Sequence, residues 1–243
     1  MTTLADLLQR QAVWRGGALA APAAPAVPTG YAGLDAEFPG GGWPAGGLVE
    51  VLCRAEGIGE LQIVLPALAA LTAAGHRVAW LAPPYLPYAP ALRAAGVLLG
   101  FLTVVRAPGR RDALWAAEQA LRARTFHALL LWLPRASYPE LRRLAVAAQG
   151  APGFVLAFRP PEAACESSPA VLRLALQPTL GSGDIRFPDP LAVRILKRRG
   201  APVETSLPIP IERPFTERSA HALGRASLSA TPAPGIVARA CAA

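Results

Sequence analysis

Five short apolar runs alternate with helical segments between residues 48 and 160, and this alternation constrains the fold more than any other feature. The runs are LVEVL at 48–52, HRVAWLAP at 76–83, FLTVVRA at 101–107, FHALLLWLP at 126–134 and GFVLAFRP at 153–160. Runs that are apolar without strict alternation suit strands covered on both faces, as in a parallel sheet. Helical segments fall between them at 60–74, 89–97, 111–123 and 137–150, and in the third of these Leu114, Ala117 and Leu121 share one stripe. Strand, helix, strand with short connections implies right-handed crossovers and helices on both faces of the sheet. After residue 160 the pattern turns β-rich: AVLRLALQP (170–178) and LAVRILKRRG (191–200) alternate as antiparallel strands do, and PVETSLPIPI (202–211) holds a further short one. The expected fold class is therefore α/β, with a mostly parallel central sheet and antiparallel C-terminal strands.

A chain of 243 residues suits one such domain with tails, or at most two small domains, and 53% hydrophobic residues suffice for a core. Prolines cluster at 21–28, 83–90 and after 202, which read as linkers and loops. Residues 1–28 are expected to hold an N-terminal helix and an Ala/Pro linker, residues 29–212 the core, and residues 213–243 a disordered tail of Ala, Ser, Pro and Arg. The N-terminal helix has Leu4, Leu7 and Leu8 on one side. A short helix on a flexible tether gains little stability alone, so it must dock, either on its own domain or on a partner or neighbouring copy. Trp14 and Arg15, residue types that anchor interfaces, favour a partner.

Net charge is +8 with a pI near 10.4, which permits contact with nucleic acid or an acidic protein surface. Arg110–Arg111 and Arg142–Arg143 are expected on solvated faces. Three widely spaced cysteines, Cys53, Cys165 and Cys241, fit a reducing cytoplasm better than a disulfide framework or a zinc site. The longest apolar run, 61–74, is interrupted by Pro66 and is too short to span a bilayer, and no leader pattern precedes it, so the expectation is a soluble cytoplasmic protein. His76, His127 and His221 have no ligand spacing, and no GxSxG elbow is present. Trp80, Trp115 and Trp132 are expected in the core, whereas Trp43 lies in a glycine cluster.

The stretch from Val49 to Leu71 has the layout of a phosphate-binding loop: strand, glycine-bearing turn, apolar helix. Anchored on Gly59, the frame reads Arg54, Ala55, Glu56, Gly57, Ile58, Gly59, Glu60, Leu61. Glu60 occupies the lysine position and Leu61 the hydroxyl position. Lys197 is the only lysine in the chain, so no shifted motif exists. GIGELQ also lacks the third glycine of a dinucleotide fingerprint. The reading is a degenerate loop with no cofactor, in which the Glu60 carboxylate stands in for the anion at a helix N-terminus.

Residues 28–52, PTGYAGLDAEFPGGGWPAGGLVEVL, resemble the first part of a RecA-type recombinase core, with a Thr-Gly, the Leu34–Asp35 pair, a glycine cluster and Pro-x-Gly-Gly before the strand. The likeness runs over residues 27–200. Together with LADLLQRQAVWRGG (4–17), the lost lysine and APPYLPYAPALRAAGV (82–97), the chain resembles the ImuA family of translesion-synthesis accessory proteins, which is related to RecA and to the cell-division inhibitor SulA. The resemblance implies a RecA-like core. In RecA-type ATPases a catalytic glutamate follows the second strand, where this chain has Pro83 and Pro84. The strand that should end in a metal-orienting aspartate offers Trp132 and Leu133. Phosphoryl transfer depends on those groups, so the resemblance implies a scaffold that is not an enzyme.

Its two DNA loops would correspond to PRASYPE (134–140) and RPPEAACESSPA (159–170), neither of them basic, so direct DNA binding is expected to be weak or absent. Lys197, Arg198 and Arg199 align with a basic stretch that RecA uses across its subunit interface; a solvated strand end, an acidic partner surface and nucleic acid all remain open for it. The implied function is a non-catalytic adaptor of SOS-induced translesion synthesis. It would join an ImuB-like Y-family polymerase homologue, an error-prone DnaE-type polymerase and RecA, through Leu4, Leu7, Leu8, Trp14 and Arg15 and through the 197–199 segment. The alternative is a SulA-like inhibitor that binds FtsZ; the extended LLQRQAVWRGG stretch favours the adaptor.

Overall fold

The computed structural model describes residues 25–54, 57–179, 190–198 and 206–209. Leu4, Leu7, Leu8, Trp14 and Arg15, the expected tail at 213–243 and Arg199 lie outside these residues. The apolar runs pair as their composition requires. Strands β1 (Ala26–Val27) and β2 (Trp43–Pro44) form a small antiparallel ribbon. The main sheet contains β3 (Leu48–Cys53), β4 (Arg77–Leu81), β5 (Leu102–Val105), β6 (Phe126–Trp132), β7 (Phe154–Arg159), β8 (Leu172–Pro178), β9 (Leu191–Lys197) and β10 (Ser206–Ile209). Their order is β10-β9-β8-β3-β7-β6-β4-β5. The run from β8 to β5 is parallel throughout, and β9 and β10 add antiparallel strands at one edge. The molecule is thus α/β with a mostly parallel eight-stranded sheet and antiparallel C-terminal strands, as the sequence pattern predicts.

Helices cover both faces. On one face α1 (Ala32–Glu37), α2 (Leu65–Ala73) and α3 (Ala89–Ala94) pack over Val49, Val51, Trp80, Leu130, Leu156 and Phe158. On the other, α4 (Arg110–Ala123) and α5 (Tyr138–Ala148) set Leu114, Ala117, Leu121, Leu141 and Leu144 against Ala79, Leu129, Leu131 and Val155. Helix α5 begins where Glu140 reaches back to its cap: the Ser137 backbone N–H and hydroxyl both donate to Glu140 Oε2 at 2.8 Å. Burial pushes the Glu140 carboxyl up, but the Ser137 bonds and the nearby Arg110 and Arg143 outweigh it and hold it below the usual carboxylate range. Among the described residues, no helix is long and apolar enough to cross a membrane.

Three expectations need correction. The linker does not run to residue 28, because Ala26 and Val27 find hydrogen-bonding partners in β2. The segment 60–74 is not one helix: a 3₁₀ turn spans Glu60–Ile63 and α2 starts at Leu65, since Pro66 lacks an N–H and fits only a first helical turn. Trp115 is 65% exposed on α4, and the stripe of Leu114, Ala117 and Leu121 that faces the sheet explains why: residue 115 lies outside it. Trp43, by contrast, is 0% exposed, because α1 and the β1–β2 ribbon fold over it and place it edge-on to Phe38 and stacked with Phe154.

Candidate functional site

Gly57, Gly59, Glu60 and Leu61 line one groove between the end of β3 and α2, whereas Arg54 is exposed and does not line it. Gly57 and Gly59 have φ of 82° and 97°, a left-handed conformation that glycine adopts without a Cβ penalty. The turn they create aims the Gly57 N–H at the Glu60 carboxylate, to which it donates at 3.0 Å. Glu60 is buried, so its charge occupies the concave side of the turn, where a phosphate loop would hold an anion. Beside it lies an open groove of about 420 Å³, walled by Leu61, Leu65, Trp80, Tyr88, Leu92 and Ala95. No arginine, lysine or histidine lines it among the described residues. A groove with apolar walls and one carboxylate suits an apolar group and repels a polyphosphate.

The C-terminal edge of the sheet beyond this groove is aromatic. Trp132, the last residue of β6, stacks on Phe158 with ring centroids 4.9 Å apart and meets Trp80 at 5.6 Å. These three residues come from the neighbouring strands β4, β6 and β7, so the row follows from their register. Indole therefore fills the strand end where the resemblance looked for a metal-orienting aspartate. The chain after β4 passes through Ala82, at φ 50°, into Pro83 and Pro84, and then exposes Tyr85, Leu86 and Tyr88. Among the described residues, no group of three His, Cys, Asp or Glu side chains could hold a metal ion. Titration of the purified chain with Mg-ATP is expected to give no stoichiometric binding at micromolar concentration, and tight binding would overturn the reading of Glu60 as the resident anion.

A charged constellation sits on the opposite face, and sequence reasoning missed it. Glu50, in the middle of β3 and 0% exposed, receives Arg159 Nη1 on one oxygen at 2.9 Å and Arg173 Nε on the other at 2.7 Å. The register puts Arg173 directly opposite Glu50 and brings Arg159 in from the end of β7. Arg159 Nη2 also donates to the Ala136 carbonyl at 2.9 Å and to Glu166 at 2.8 Å. Arg173 donates further to the carbonyls of Ala163, Ala164 and Glu166. Burial opposes the charge on Arg159, but its bonds to Glu166 and Glu50 prevail and hold its pKa above the ordinary value. The consequence concerns the two segments expected to match DNA loops. Ala136 belongs to the first and Ala163, Ala164 and Glu166 to the second, so one buried ion network ties down both. A signal was present in the sequence: an acid within one apolar strand and a base within another can be buried only as partners.

Two other placements bear on the expectations. Lys197 Nζ donates to the Ser168 carbonyl at 2.8 Å, and Arg198 Nη1 pairs with Glu37 on α1 at 2.7 Å. Arg198 is therefore engaged within the chain, while Lys197 stays exposed. His76 and His127, far apart in sequence, stack with ring centroids 3.8 Å apart, because His76 immediately precedes β4 and His127 is the second residue of β6, with which β4 pairs. Burial, and then the neighbouring His76, lower the pKa of His127.

No protein-family model matches this sequence, and comparison with curated proteins finds no significant match.

Proposed function

We propose that this protein is a non-catalytic accessory factor of SOS-induced translesion DNA synthesis, built on a RecA-like core and working in the cytoplasm. It joins an ImuB-like Y-family polymerase homologue, an error-prone DnaE-type polymerase and RecA. The observation that carries the reading is the Glu60 carboxylate accepting the Gly57 N–H inside a phosphate-loop-shaped turn. Where the chemistry would need cations and a metal aspartate, the chain has a resident carboxylate and the Trp80–Trp132–Phe158 row. Such a scaffold acts by binding. The identity of the partners rests on the sequence resemblance, and the pinned loops at 134–140 and 159–170 support a role for protein contacts over recombinase-type DNA contacts.

The test is affinity purification of the tagged chain from DNA-damaged cells, with nuclease treatment and mass spectrometry of what is retained. Polymerase homologues and RecA retained after nuclease support the adaptor. FtsZ alone, with filamentation on overexpression in undamaged cells, transfers the protein to the SulA-like class.

A further inference from the structure

Residues 110–149 carry seven arginines against three acids, a net +4 that is half the formal charge of the whole chain. Most of these charges lie on α4 and α5. The two helices are bridged by Glu118 with Arg143, at 2.8 Å, and by Arg110 with Glu140, at 2.9 Å. These pairs consume two of the three acids. Arg111, Arg122 and Arg142 are exposed and form no ion pair among the described residues. Among them stands Trp115, 65% exposed, in line with Arg111 one turn before it and with Glu118 and Arg122 after it. Val146, one turn beyond Arg143 on α5, is 56% exposed. Large apolar side chains ringed by arginine are the composition of an interface core, and a monomer gains nothing by leaving a tryptophan in water.

We propose that the outer face of α4 and α5 is a docking surface for an acidic protein segment, with Trp115 and Val146 as apolar anchors and Arg111, Arg122 and Arg142 as the charged rim. The proposal is independent of the family resemblance and adds a surface distinct from the 4–15 and 197–199 segments. Charge complementarity selects the occupant. The chain's own ends are basic: residues 1–24 hold two arginines and one acid, and residues 210–243 hold four arginines and two acids. A second copy of the same face would set arginine against arginine. Nucleic acid is disfavoured because the exposed Asp112 shares α4 with the arginines and because Val146 has nothing to offer a phosphate backbone.

The probe is a fluorescein-labelled amphipathic helical peptide of Glu and Leu, titrated with the full chain by fluorescence anisotropy and run beside a labelled DNA duplex. Saturable peptide binding is expected, weakened about 10-fold or more by Trp115→Ala and similarly by Arg122→Glu. DNA binding should not follow the same pattern. Because both positions are exposed, the variants are expected to keep the wild-type melting temperature, which serves as the folding control. Absence of saturable peptide binding, or equal peptide affinity for wild type and Trp115→Ala, overturns the proposal. Tighter binding to DNA than to peptide, lost on Arg122→Glu and untouched by Trp115→Ala, assigns the face to nucleic acid and overturns it as well.

Discussion

Replacing Glu50 by alanine is expected to destabilise the protein by about 3–5 kcal/mol, because it takes from the buried Arg173 its carboxylate partner and leaves the buried Arg159 paired only with the exposed Glu166. Arg159 and Arg173 each spend one bond on Glu50, and neither reaches water: their side chains are 2% and 8% exposed. The wild-type arrangement itself contributes far less than this figure, since bringing three charges out of water offsets most of their attraction. The distinction can be measured. Urea unfolding of Glu50→Ala should show a lower midpoint, while a triple variant with Leu at 50 and Met at 159 and 173 should recover much of the loss. The same substitution should loosen both segments that Arg159 and Arg173 hold, so amide exchange should rise at 134–140 and 160–168 before the sheet itself opens. A midpoint shift worth less than 1 kcal/mol would mean that the network is not the internal brace described above.

Trp43→Ala is expected to cost about 3–5 kcal/mol, the range for deleting a large buried aromatic side chain. The indole is fully buried, 5.2 Å from the Phe38 ring and 5.5 Å from Phe154, and its removal leaves a cavity between α1, the β1–β2 ribbon and the start of β7. Its Nε1 has no hydrogen-bonding partner among the described residues. Trp43→Phe keeps an aromatic ring and removes a buried unpaired donor, so it should cost clearly less than the alanine variant. Thermal unfolding of both variants decides the point. If the two fall equally, the aromatic stacking is not what the site requires.

Much of the fold was legible because strand and helix periodicity report burial directly. Continuous apolar runs such as 128–131 can only be interior strands, and the stripe of Leu114, Ala117 and Leu121 can only face them. The loop without a lysine was legible too, since its chemistry depends on residue identity at fixed offsets. The Glu50–Arg159–Arg173 cluster was not read, because Glu50 is more than a hundred residues from both arginines and meets them only once β3 lies between β7 and β8. The exposure of Trp115, against expectation, and the burial of Trp43, which was left open, have a related reason. A glycine cluster signals turns but does not say whether another element will cover them, and a tryptophan near an apolar stripe is not thereby on it.

The sequence alone determined the α/β class, the order of its central elements and the absence of a phosphate-binding lysine, since each depends on local pattern or residue identity. Only the tertiary structure decided what lies at the strand ends and between the loops: an aromatic row, and a buried ion network that holds two loops. These are contacts between residues that no sequence spacing relates, created by strand order and by the need of every buried charge for a partner.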